Sequence, residues 1–156
     1  AKAQKLNIKP NVWKGFVQDL DPSVKYDLIF IPAGSFGLII DQLVAKIALI
    51  KIYEALSSTG VFVFESETLN SMPTSFNEWE KHEYIRDDGK KVIASFMHLE
   101  SEVNVSSTTC KYELMDNNHI VNTEIEHFQV RMYKPYHMLE LLNSAGFKNI
   151  KMFEFL

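Results

Sequence analysis

The stretch from Tyr26 to Glu67, YDLIFIPAGSFGLIIDQLVAKIALIKIYEALSSTGVFVFESE, constrains the fold of this chain more than any other. Leu28 to Ile31 and Val61 to Phe64 are short unbroken apolar runs, without the alternation of a strand that has one face in water. Such runs predict strands buried on both faces, as in a parallel sheet. Between them Leu43, Ile47, Ile50, Tyr53 and Leu56 recur at spacings of three and four, which predicts a helix with one apolar stripe. Asp41 is placed to cap its start, and Ser57, Ser58, Thr59 and Gly60 supply its stop. Strand, helix and strand in this order form a βαβ unit with a right-handed crossover. Open sheets of this type bind ligands just beyond the carboxyl ends of their strands. Pro32 to Phe36 and Glu65 to Thr68 are thereby singled out.

On the amino-terminal side, Ala1 to Leu6 reads as the tail of a helix ended by Asn7 and Pro10, and Val12 to Val17 as a strand interrupted by Gly15. Beyond Thr68 the apolar period shifts towards two. A strand from Trp79 to Arg86 turns at Asp87, Asp88 and Gly89 and returns from Val92 to Leu99. A second hairpin joins Val103–Met115 to Ile120–Met132 around Asp116, Asn117 and Asn118. In its last strand Val121, Thr123 and Ile125 share one parity, while Phe128, Val130 and Met132 take the other, so a bulge near Glu126 or His127 is expected. Pro135 suits the first position of a final helix with the stripe Met138, Leu141, Leu142 and Ala145, and Gly146 suits its end. Phe147 to Phe155 reads as a last strand. The expected fold is α/β, with a core at residues 1–69 and 134–156 and an antiparallel β-meander insertion at residues 70–133.

Composition narrows the class. The 156 residues suit one domain with an insertion, and 16 basic against 20 acidic residues give a net charge of -4 with no block of like charge. Binding to a phosphate backbone is disfavoured, so no nucleic-acid partner is expected. The longest apolar stretch is broken by Asp41 and Lys46, too early to span a membrane. A lone Cys110 cannot form an intrachain disulfide, which suits a reducing cytoplasm. His82, His98, His119, His127 and His137 lack metal-ligand spacing, so no metal is expected.

Asp27 opening the buried strand YDLIFIP, the loop and helix after it, the small turn ending in Gly60, and the later LLNSAGFKNI from Leu141 to Ile150 resemble the class I S-adenosylmethionine-dependent methyltransferases. The resemblance covers most of residues 12–69 and 134–156. It implies a partial Rossmann-like methyltransferase sheet, S-adenosylmethionine as cofactor, and a small-molecule methyl acceptor covered by the meander. The family's usual Lys-Pro-Gly-Gly turn keeps only its last glycine here. In the family a glycine-rich turn and an acidic strand end grip the cofactor, whereas the six glycines of this chain form no such array. The chain resembles the carboxyl-terminal part of such an enzyme, a fragment expected to be inactive by itself. In that frame Val12 to Val17 is the family's third strand, and Leu28 to Ile31 becomes an apolar sheet edge. That edge is expected to pair with Val12 to Val17, to form a homodimer, or to aggregate.

The resemblance also distributes roles. Pro32, Ala33, Gly34, Ser35 and Phe36 would line the methionine end of the cofactor, because small residues allow close backbone approach; a tight strand-to-helix turn is the structural alternative. Phe16 would stack on adenine while Gln18 or Asp19 supplies a hydrogen bond, unless this is an ordinary strand and solvated loop. Glu65 and Glu67 are candidate bases or substrate anchors at the end of the second strand. Among the histidines, His127 or His98 could reach the pocket, and His127 is the catalytic candidate. Trp79, Tyr84, Tyr112, Phe128 and Tyr133 would form an aromatic wall, or simply pack a half-buried sheet. Two other classes fit the pattern: a nonenzymatic α/β interaction or dimerisation module, and a dinucleotide-binding oxidoreductase, since a βαβ unit alone does not distinguish cofactors.

Overall fold

The computed structural model describes residues 5–153. Strand β1 (Tyr26–Ile31), helix α1 (Gln42–Ala55) and strand β2 (Leu56–Phe64) form the βαβ unit, and β1 and β2 pair in parallel with Leu28 opposite Val61 and Ile31 opposite Phe64. Asp41 caps α1, its carboxylate accepting the Val44 N–H at 2.9 Å. The helix stops at Ala55 without the expected turn, and Leu56 is already extended. Ser57, Ser58, Thr59 and Gly60 instead form an irregular step in β2, between the Tyr26–Leu56 and Leu28–Val61 pairs. The Ser57 hydroxyl donates to the Asp27 carboxylate at 2.6 Å and fixes that step.

The buried side of α1 is not the stripe read from the sequence. Ala45, Ala48, Leu49, Ile52 and Ala55 are buried, while Leu43, Ile47 and Tyr53 are exposed. The helix is apolar on two sides, and the side rich in alanine comes closest to the strands. With Phe36, Tyr133 and the second helix α2 (Pro135–Ala145) it makes the core, against which Ile29, Ile31, Phe62 and Phe64 pack. The other face of the parallel pair is bare. Leu28 is 57%, Phe30 64%, Val61 54% and Val63 53% exposed, and the pairing register puts the four side by side. Burial on both faces therefore fails for one face among the described residues.

Neither expected flanking strand forms among the described residues. Residues 8–16 form no strand, and Val12, Trp13 and Phe16 are exposed before a 3₁₀ turn at Val17–Asp19. Gly15 weakens this segment, and without ladder bonds to a neighbour an extended chain has nothing to hold it as a strand. The expected final strand is irregular from Phe147 to Phe153, and its last residues lie outside the described range. Phe147 packs instead on Tyr53 and Phe62, with ring centroids 5.3 and 5.6 Å away. Of the expected amino-terminal helix only Lys5 is described as helical, residues 1–4 being outside that range. Helix α2 begins with Pro135 and ends at Gly146, whose φ of 106° is the left-handed cap.

The remaining strands, β3 (Trp79–Ile85), β4 (Lys91–Leu99), β5 (Val105–Asp116) and β6 (His119–Arg131), make one antiparallel sheet in chain order. Asn117 and Asn118 both have positive φ, which makes the β5–β6 connection a two-residue hairpin of type I′. The bulge lies at Val121, since Leu114 faces Asn122 and Met115 faces Ile120; pairing is regular through Glu126 and His127. The parity change at Phe128 therefore reflects a sheet with apolar residues on both faces. The meander meets the core at the end of β6. Gly37 lies against it so tightly that a Cβ would come within 2.7 Å of Val130 Cγ1 and 2.9 Å of the Arg131 carbonyl. Arg131 Nε donates to the Ile40 carbonyl, and the Tyr133 N–H to the Glu67 carbonyl at 3.2 Å.

A bare apolar face of this size drives association. Sedimentation velocity of the 156-residue chain should show dimers or larger species, and Leu28→Lys with Phe30→Lys should shift it to monomer with little change in thermal stability. A monomeric wild type with an unpaired edge would contradict this.

Candidate active site

The carboxyl ends of β1 and β2 are shaped by two carboxylates. After Pro32 the chain takes left-handed φ values at Ala33 (55°) and Gly34 (66°) before the 3₁₀ turn Ser35–Leu38. Such a conformation costs a non-glycine residue about 1 kcal/mol. Glu65 offsets it: its Oε2 accepts the Ala33 N–H at 2.8 Å, a charge-assisted bond across the two strand ends. Glu67 lies beside Gly34, where a Cβ would be 3.5 Å from the Glu67 Cγ. Phe36 is wholly buried between Phe64 and Tyr133, at centroid distances of 5.2 and 6.1 Å. Its ring anchors the loop in the core and is not on the surface of the site.

This loop faces one side of the antiparallel sheet across a cleft of about 530 Å³. Ala33, Gly34, Ser35 and Glu67 form one wall; Glu80, Phe96, His98, Thr108 and Phe128 form the other. Strand parity decides which histidine takes part. Thr108 pairs with His98 on one side and Phe128 on the other, so these three share a face. His98 Nδ1 and the Thr108 hydroxyl are hydrogen bonded at 3.0 Å. His127 pairs with Thr109, one residue on, and its Nδ1 lies 2.8 Å from the Thr109 hydroxyl on the opposite face. It is not brought into the cleft. Phe16, Gln18 and Asp19 do not line it either. Of the expected aromatic wall, Phe128 lines the cleft, whereas Trp79 lies under Lys111 on the reverse face.

Burial pushes the Cys110 thiol up, away from the thiolate a nucleophile needs. The Tyr112 hydroxyl is likewise pushed up by burial. Among the described residues no three of His, Cys, Asp and Glu come together to hold a metal. No helix there is long and apolar enough to cross a membrane. Sequence reading missed Glu80, Phe96 and Thr108. Their shared parity across β3, β4 and β5 is the signal that selects them, but it needs the strand register to be read.

No family model matches the chain. No curated protein matches it either. Solved structures do. An S-adenosylmethionine-dependent methyltransferase from Clostridium acetobutylicum is 19% identical with a TM-score of 0.77, over 92% of this chain and 56% of the other. The sugar N-methyltransferase KedS8 from Streptoalloteichus is 16% identical with a TM-score of 0.68, over 85% and 52%. CalS10, an amino pentose methyltransferase from Micromonospora echinaspora solved with S-adenosylmethionine bound, is 14% identical with a TM-score of 0.69, over 85% and 54%. The chain has the α/β fold of the S-adenosylmethionine-dependent methyltransferases, and it spans about half the length of these structures.

Ala33 and Gly34 leave the strand ends without bulky side chains, but no glycine-rich turn and no acidic end of a neighbouring strand accompany them among the described residues. Glu65 and Ala33 should matter for the shape of this wall. Glu65→Ala should cost about 1 kcal/mol in chemical denaturation and raise hydrogen exchange at the Ala33 amide, with Glu65→Gln retaining most of the protection.

Proposed function

We propose that this chain is the acceptor-binding part of an S-adenosylmethionine-dependent methyltransferase whose acceptor is a small amine, specifically an amino sugar. The carrying observation is the charge of the cleft: among the described residues Glu67 and Glu80 line it and no lysine or arginine does. Such a cleft concentrates a cationic amine and repels a phosphate backbone. Its volume of about 530 Å³ suits a small molecule. The likeness in fold to a sugar N-methyltransferase and an amino pentose methyltransferase supports the same class of acceptor.

The cofactor, when bound, supplies the methyl group as part of a sulfonium. The chain's own residues must hold the acceptor nitrogen in line and take its proton, because an ammonium has no lone pair with which to attack. In this reading Glu67 anchors the acceptor, and His98, with Nδ1 engaged by Thr108, presents Nε2 as the base. Ala33, Gly34 and Ser35 border the methionine end, Pro32 and Phe36 set the loop, and Glu65 braces it. Phe16, Gln18 and Asp19 become adenine contacts only when the sheet is completed beside them. Residues 70–133 are the substrate cover and residues 1–69 and 134–156 the core. The glycine-rich half of the site is not found among the described residues, so in this reading the chain alone is inactive. A cytoplasmic setting suits the lone cysteine.

With the cofactor-binding half present, His98→Gln should lower kcat for amino-sugar methylation by about 10²- to 10⁴-fold. His127→Gln should stay close to wild type. Equal losses, or none from His98→Gln, would contradict the assignment, and failure of every amino sugar as acceptor would overturn the substrate class.

A further inference from the structure

A second cavity, of about 340 Å³, opens among α1, α2 and the turn at Asn104, and its charge is opposite to that of the cleft. Lys46, Arg131 and His137 line it against the single carboxylate of Glu140. Arg131 is only 7% exposed. Its Nε is used by the Ile40 carbonyl, but its Nη2 faces only Glu102, 3.8 Å away on a side chain that is 79% exposed. Tyr133, also in the wall, is 6% exposed, but its hydroxyl lies beneath the cavity surface, closed to water and without a hydrogen-bond partner. The nearby Arg131 charge favours negative charge at this hydroxyl, although burial pushes its pKa up more strongly. A buried guanidinium whose outer nitrogen has one loose partner is costly until something completes it.

We propose that this cavity binds an oxyanion, a phosphoryl or carboxylate group, held by Arg131 and Lys46. The guanidinium fork matches either group, and the exposed Glu102 is a weak carboxylate partner that such a ligand displaces. Glu140 limits the net charge of the wall, which suits a single oxyanion group and not a polyanion. The proposal stands apart from the methyl-transfer reading, because it uses neither the cleft nor the cofactor.

Calorimetric titration of the 156-residue chain with inorganic phosphate, and separately with malonate, tests it; the tighter of the two identifies the group as phosphoryl or carboxylate. Saturable binding of one equivalent is expected. Arg131 also holds the Ile40 carbonyl, so the test uses Lys46→Gln, with Tyr133→Phe as the control for packing of the wall. Tyr133→Phe should leave binding close to wild type and the ligand-free thermal midpoint unchanged or raised, since it removes an unpaired buried hydroxyl that the cavity does not reach. Lys46→Gln should weaken binding about fivefold at low salt and make it less sensitive to added salt than wild type. No saturable heat with either anion, or an affinity indifferent to Lys46→Gln, would overturn the proposal.

Discussion

A parallel pair of strands needs apolar cover on both faces, because the crossover that joins the strands puts a helix on one side only. Here α1, with α2 behind it, covers Ile29, Ile31, Phe62 and Phe64. Leu28, Phe30, Val61 and Val63 have no such layer among the described residues. Each buried aliphatic or aromatic side chain of that kind is worth about 1.5–3 kcal/mol, so four left in water are a substantial loss for a marginally stable domain. The same shortage explains residues 8–16. A segment carrying Val12, Trp13 and Phe16 stays irregular when no completed sheet offers it hydrogen bonds or an apolar bed.

The site depends on how the meander is tied to that incomplete core. Gly37 lets the loop after β1 lie against the end of β6, and Arg131 holds the Ile40 carbonyl from the other side. The Tyr133 N–H closes the join at the Glu67 carbonyl, next to the acidic wall of the cleft. Two cavities result, separated by the end of β6 and sharing Met132. One is lined by carboxylates and a histidine, the other by a lysine, a buried arginine, a histidine and the single carboxylate of Glu140. Charge is thus sorted by the parity of one strand and by the two helices that flank it, although the chain as a whole carries only a small net charge.

Much of the fold was legible because its signals are local. Asp41 before an apolar helix, Pro135 and Gly146 around another, and Asn117–Asn118 between alternating strands each act through their own backbone. What failed depended on neighbours. The stripe through Leu43, Ile47 and Tyr53 is as periodic as the one through Ala45, Leu49 and Ile52, and only contact with the strands chooses between them. The strand at Val12 to Val17 needed a ladder partner. In the site, the loop at Ala33 and Gly34 and the strand-end Glu65 and Glu67 could be read from the βαβ pattern. His98 could not be preferred over His127, because the choice rests on which of two adjacent rows, Thr108 or Thr109, faces the core.

The central claim is that these residues form one side of a methyltransferase site whose cofactor is gripped mainly by another part of the fold. Calorimetric titration with S-adenosylhomocysteine tests it most directly, comparing the 156-residue chain with a protein that also carries the glycine-rich half. Binding at about micromolar Kd by the longer protein and no saturable heat from the shorter one is the predicted result. Equally tight binding by the 156-residue chain alone, or none by the longer protein, would contradict it.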